Sequence, residues 1–173
     1  VPSELPTSAT AQPDAFQALP LGAVKPLGWL REQLRNNLDG FTGHLDALVP
    51  ELIREDDIYG AHRLSPSVQS KDVGAQGVPE EDRAQFLWWN SETQSNWWDG
   101  YLRTAVLLGD EKALERSQAQ VKRLLSTQDA DGYLGIYTPA LRYRFNSENG
   151  ELWSKATALR YLLGWHEATR DPA

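Results

Sequence analysis

The residues best suited to chemistry stand together: Trp88-Trp89-Asn90-Ser91-Glu92-Thr93-Gln94-Ser95-Asn96-Trp97-Trp98-Asp99-Gly100. Indole rings lie on the C–H faces of sugars, while carboxylates and amides hydrogen-bond their hydroxyls. A stretch that mixes Trp, Glu, Asp, Asn and Gln therefore suits a carbohydrate cleft. Its candidate binding residues are Trp88, Trp89, Glu92, Trp97 and Asp99. Core packing is the competing role for each tryptophan, Trp97 and Trp98 above all, and Glu92 also suits a helix N-terminus on electrostatic grounds. On a helix starting near Ser91, Glu92 and Asp99 share one face two turns apart, roughly 10 Å along the axis. Glycosidase carboxyl pairs stand about 5–5.5 Å apart in retaining enzymes and about 6.5–9.5 Å apart in inverting ones. The spacing thus fits sugar hydrogen bonding better than acid–base catalysis.

Two further motifs follow. Gln128-Asp129-Ala130-Asp131-Gly132-Tyr133-Leu134-Gly135 reads as a turn, with Asp131 and Gly132 making it and Tyr133 and Leu134 packing. Tyr133 and Tyr137 are also candidates for a cleft rim. Glu148-Asn149-Gly150-Glu151-Leu152-Trp153 opens a helix, where Glu151 is favoured by the helix dipole. His44 and His62 have no partner at metal-ligand spacing, and His166 falls on an apolar face as a core residue would. There is no Gly-rich phosphate loop, no Gly-x-Ser-x-Gly and no His-Glu-x-x-His. No nucleophile or acid/base set is assembled, so the catalytic residues are unassigned, and these residues offer no metal or cofactor site.

Elements must position these groups, and composition bounds what they build. The 173 residues carry a formal net charge of -7, which disfavours nucleic acid as a partner. Cysteine is absent, which excludes disulfides and thiol chemistry within these residues. No run approaches the ~18 apolar residues of a membrane span. Methionine is absent too, so Val1 is expected to follow a removed leader or a cut, and a secreted or periplasmic location is the matching expectation.

Residues 1–20, rich in Pro, Ser, Thr and Ala, read as an extended entry segment, and 21–173 as one helical unit. Leu27, Leu30, Leu34 and Leu38 predict a helix with Pro26 in its first turn and Gly40 past its end. Phe41, Leu45, Leu48 and Leu52 predict a second, divided or kinked at Pro50. Asp56 to Arg83 is aperiodic, and order returns at Phe86. Trp97, Tyr101, Ala105 and Leu108 form the next helical stripe, ending at Gly109-Asp110. Leu114, Val121, Leu124 and Leu125 mark an amphipathic helix. The last runs from about Glu151 to Thr169, with Leu152, Ala156, Leu159, Leu163 and His166 on one face. No segment alternates as a strand would, so the fold class is all-α. Leu107-Leu108-Gly109 recurs as Leu162-Leu163-Gly164, and Trp98 as Trp153, at one common offset of 55 residues. Helical hairpins of that length build toroids and solenoids.

Taken in order, several segments resemble the N-terminal half of glycoside hydrolase family 127 and its relatives, the β-L-arabinofuranosidase-like proteins. They are Gly22 to Leu30, Gly40 to Leu45, Trp88-Trp89 with Glu92, Trp97 to Gly100, Gln128 with Asp131 to Gly135, and Gly150 to Trp153. The resemblance covers about residues 16–171. It implies an (α/α)6 toroid, about half of which is represented, followed by β-rich domains. It also implies a carbohydrate substrate and release of a terminal sugar such as L-arabinofuranose from plant or microbial glycans. It places Glu151 where relatives carry a polar motif that touches the substrate. The best-studied relatives use a cysteine nucleophile near a zinc ion held by Cys and Glu, plus a glutamate acid/base. All of these fall farther along the chain than these residues reach, and none is carried over here. A half toroid exposes the inner faces of its helices, so the rest of the barrel, or another chain, is expected to complete the core. The alternatives are a non-catalytic carbohydrate-binding or scaffold module of helical hairpins, and a polysaccharide lyase-like α/α toroid. A lyase would need cations for a uronic acid, for which Arg142 and Arg144 are the candidates.

Overall fold

A computed structural model describes residues 16, 18–66, 88–144 and 150–171. The extended reading of residues 1–20 falls mostly outside this set, as do the greater part of the aperiodic stretch before Phe86, Phe86 itself, Glu148 and Asn149. The described residues form six α-helices: α1 (Gly28–Asp39), α2 (Phe41–Leu48), α3 (Pro50–Ile53), α4 (Trp89–Leu108), α5 (Glu111–Ser126) and α6 (Gly150–Thr169). Among them there is no strand; one isolated parallel bridge joins Leu64 to Tyr137. The chain is all-α over these residues, as its periodicity predicts.

Local chemistry sets the boundaries. Pro50 lacks the amide hydrogen needed to continue α2 and sits instead at the start of α3. Gly109 ends α4 in the left-handed conformation at φ 66°, which costs a residue without Cβ little. Asp110 then caps α5, its carboxylate accepting from the amide of Ala113 at 2.9 Å. The same carboxylate holds Arg35 of α1 at 2.6 Å, and Arg31 donates to the Leu108 carbonyl at 3.2 Å. Side chains of α1 thus satisfy the C-terminal end of α4, where carbonyls lack helical partners.

Helix α4 is central, packing against every other helix. Its core face is Trp97, Trp98, Tyr101, Leu102, Ala105 and Leu108, all buried. Leu102 and Ala105 have no exposed surface, so truncating Leu102 to Ala falls in the range of about 2–5 kcal/mol typical of core leucines. Helix α6 lies beside α4 and runs the same way. Gly150 lies against Trp88, Arg160 pairs with Asp99, and Gly164 approaches Leu102. Helix α5 runs against both: the Tyr161 hydroxyl donates to the Ser117 carbonyl at 2.8 Å, and Trp165 near the end of α6 faces Leu114 near the start of α5.

Two expectations are corrected. The face of α6 that carries Leu152, Ala156, Leu159, Leu163 and His166 points outward, with Leu152 71% exposed. The helix buries Ser154, Thr157, Ala158, Tyr161 and Trp165 instead. It is apolar on both sides, so spacing alone does not choose the core side. The 55-residue repeat also has no structural counterpart. Gly109 ends a helix while Gly164 lies within one, and Trp98 is buried while Trp153 is half exposed.

Candidate functional site

Because α4 and α6 are parallel neighbours, their N-termini share one end of the molecule. The first turns carry Glu92 and Glu151, one acidic residue each, at the positive ends of the helix dipoles. Trp88 and Trp89 stack with ring centroids 4.8 Å apart and planes 9° from parallel, and Trp153 stands 6.3 Å from Trp88. Trp89 and Trp153 are each half exposed. Gly150 makes this possible: a Cβ there would stand 2.2 Å from the Cβ of Trp88, so only a residue without one lets the tryptophan lie on the helix start. The result is an open three-indole surface. Glu92 is partly buried, and among the described residues it has no ion-pair partner.

The remaining candidates are engaged differently. Trp97 is 8% exposed, and its indole N–H donates to the Thr42 carbonyl at 2.8 Å. Arg116 lies over the rings of Trp97, Trp98 and Tyr101 and pairs with Asp46 at 2.5 Å. Trp97 is therefore part of the core that sets α2 against α4. Asp99 is 6% exposed and pairs with Arg103 at 2.9 Å and Arg160 at 3.0 Å. Its carboxylate joins α4 to α6 and does not form an open pair with Glu92. The helix also starts at Trp89 rather than near Ser91.

Glu151 is 1% exposed. One carboxylate oxygen accepts from the amide of Tyr143 at 2.7 Å, and the other meets the Lys155 ammonium at 3.3 Å. Tyr143 has φ 58°, unusual for a residue with a side chain. The buried carboxylate thus holds a strained backbone and directs the loop 133–144. The Lys155 ammonium sits 4.4 Å from the ring centre of Tyr133 and 4.6 Å from that of Tyr143. Arg142 lies 3.7 Å from the ring centre of Tyr133 and pairs with Asp129 and, at 3.0 Å, with Asp131. Burial pushes the Tyr133 phenol well above the ordinary tyrosine range, so it stays protonated.

A third group was not legible in the sequence. Asn90 donates to Asp56, and the Gln94 amide donates to the carbonyls of Leu52 and Asp56 at 2.8 Å each. Burial raises the Asp56 carboxyl, against the opposing pull of Asn90 and His62. Asp56 sits in an aperiodic segment, where no spacing singles it out. Its only signal is adjacency to an acidic run, which most often marks a solvated surface.

No family model, curated protein or solved structure matches this chain.

Proposed function

We propose that these residues belong to the (α/α)6 toroid of a glycoside hydrolase, and that the shared N-terminal end of α4 and α6 binds the sugar. The observation that carries this reading is the Trp88–Trp89–Trp153 surface beside Glu92 at that end, with Trp89 and Trp153 half exposed. Aromatic planes next to a carboxylate with no ion-pair partner among the described residues offer both contacts that a sugar ring requires. The helix arrangement supports the toroid: two parallel neighbours and an antiparallel third form the local pattern of two concentric helical layers. The exposed Leu152 and Leu163 of α6 supply the edge on which the rest of the barrel, or another chain, packs.

The substrate is a terminal neutral sugar, with L-arabinofuranose or a close relative first among those to test, and a secreted or periplasmic location accords with a glycan substrate. The nucleophile and acid/base belong elsewhere in the complete enzyme. In the family that the sequence resembles, zinc would be held by cysteine and glutamate. Among the described residues no three His, Asp or Glu side chains converge as a metal site requires. The role proposed for these residues is to bind and orient sugar. The lyase-like reading is weaker, because Arg142 is already committed to Asp129, Asp131 and the Tyr133 ring.

The test is an aryl-glycoside panel on the full-length protein, with Trp89→Ala and Trp153→Ala introduced together. Each aromatic contact contributes about 0.5–1.5 kcal/mol beyond its buried area. A loss of roughly tenfold or more in kcat/KM, with an unchanged melting temperature, is expected. Full turnover by the double variant removes the assignment. Sugar binding with no turnover in the parent protein selects the non-catalytic module instead.

A further inference from the structure

On the other flank of α6 lies a cavity of about 370 Å³, lined by Tyr133, Leu134, Tyr143, Lys155, Leu159 and Leu162, with Asp131 at its rim. The tryptophan surface does not reach around the helix to it: Lys155, Leu159 and Leu162 repeat at three-to-four spacing with Glu151 on one side, and Trp153 lies on the opposite side. We propose that this cavity is a second sugar subsite, taking a neutral monosaccharide ring. The inference rests on the carbohydrate reading given above and adds a site to it.

Three observations carry it. The first is that the wall has two chemistries. Leu134, Leu159 and Leu162 offer an apolar surface, and the Tyr143 ring stands 73% exposed above the cavity. Lys155 and Asp131 supply a donor and an acceptor. A sugar ring presents the same two kinds of surface, C–H faces and hydroxyls. The second observation is that the charges lining the cavity are already matched. Lys155 is paired with Glu151 at 3.3 Å, and Asp131 with Arg142 at 3.0 Å. A uronate would have to displace one of these carboxylates, whereas a neutral ring leaves both pairs in place. The third is that the tyrosine is held in place at a cost. Tyr143 has a left-handed backbone at φ 58°, fixed by the bond from its amide to the buried Glu151 carboxylate. Strain of this kind clusters at ligand sites, where the surrounding structure imposes it.

Tyr143→Gly is the informative variant. It removes the ring, and glycine adopts the positive φ without penalty, so the loop keeps its path. The probes are L-arabinose, an arabinofuranosyl disaccharide and D-galacturonic acid, titrated calorimetrically into the full-length protein, its Tyr143→Gly variant and the Trp89→Ala/Trp153→Ala variant. The expected result is a tenfold or greater loss of disaccharide affinity in Tyr143→Gly, retained binding of L-arabinose at the tryptophan surface, and no binding of galacturonic acid at the cavity. Undiminished disaccharide affinity in Tyr143→Gly overturns the subsite. Loss in the tryptophan variant alone then leaves the carbohydrate reading standing without it. Loss in Tyr143→Gly alone keeps the subsite and removes the tryptophan surface. Galacturonate binding that Tyr143→Gly abolishes overturns the neutral-ring assignment.

Discussion

Asp99 shows how a residue suited to a cleft becomes a strut. Its carboxylate accepts from Arg103 one turn along α4 and reaches Arg160 on α6, so one side chain fixes the lateral position of two helices. Asp99→Asn keeps the shape and removes the charge. It should lower the stability measured by urea unfolding by about 1–2 kcal/mol, as charge-assisted bonds weaken, and leave sugar affinity unchanged. A loss of affinity at constant stability would return Asp99 to the cleft. Sequence could not separate these roles. Trp88, Trp89, Trp97 and Trp98 are the same residue type within one short stretch, and each has both a buried and an exposed use. What separates them is the direction each faces once α6 and α2 have packed: Trp97 finds the Thr42 carbonyl, while Trp89 stacks on Trp88 and stays half exposed.

Helix starts and stops were the most legible elements. Pro50, Gly109 and Asp110 act through their own backbone or side chain, so their effects need no tertiary context. Asp110 combines two roles, capping α5 and pairing with Arg35. The bond from Arg35, followed by that from the Ala113 amide, holds its carboxyl below the ordinary carboxylate range. A depressed folded-state value means the contribution is complete above the unfolded-state value, about 3.9. It is lost as the pH falls through the lower folded value. Unfolding midpoints taken from pH 5 down to pH 2 should therefore fall for the parent chain. In Asp110→Asn the acid limb should be shallower, with stability already reduced by roughly 1 kcal/mol near neutrality from the weaker cap and lost ion pair. Identical acid limbs in the two proteins would show that this carboxylate does not contribute. The outward face of α6 was not legible for the opposite reason: Leu152, Leu159 and Leu163 carry the same periodic signal as a core stripe, and only the position of α4 shows which side is covered.

At the scale of the whole molecule, apolar surface remains on two edges. Leu152 and Leu163 line one, while Leu27, Trp29 and Phe41 stand exposed near the start of the helical unit. Patches of this kind mark contact surfaces. Under the toroid proposal, residues 1–173 expressed alone should bind a hydrophobic dye and sediment as more than a monomer at micromolar concentration. The full-length protein, with an intact mass above 19.4 kDa, should do neither. A stable, dye-silent monomer of 19.4 kDa would end the toroid proposal. The distribution of indoles has a further use. Of the seven tryptophans, Trp97, Trp98 and Trp165 lie in the core, whereas Trp29, Trp89 and Trp153 face solvent and Trp88 is intermediate. The molecule thus carries two optical populations. A collisional quencher reaches the outer emitters first, so under the sugar-binding proposal a docked glycan dims or shields that fraction alone, while the inner fraction keeps its blue emission until the helices come apart. One fluorescence trace can therefore follow occupancy and folding as separate signals, with no label attached.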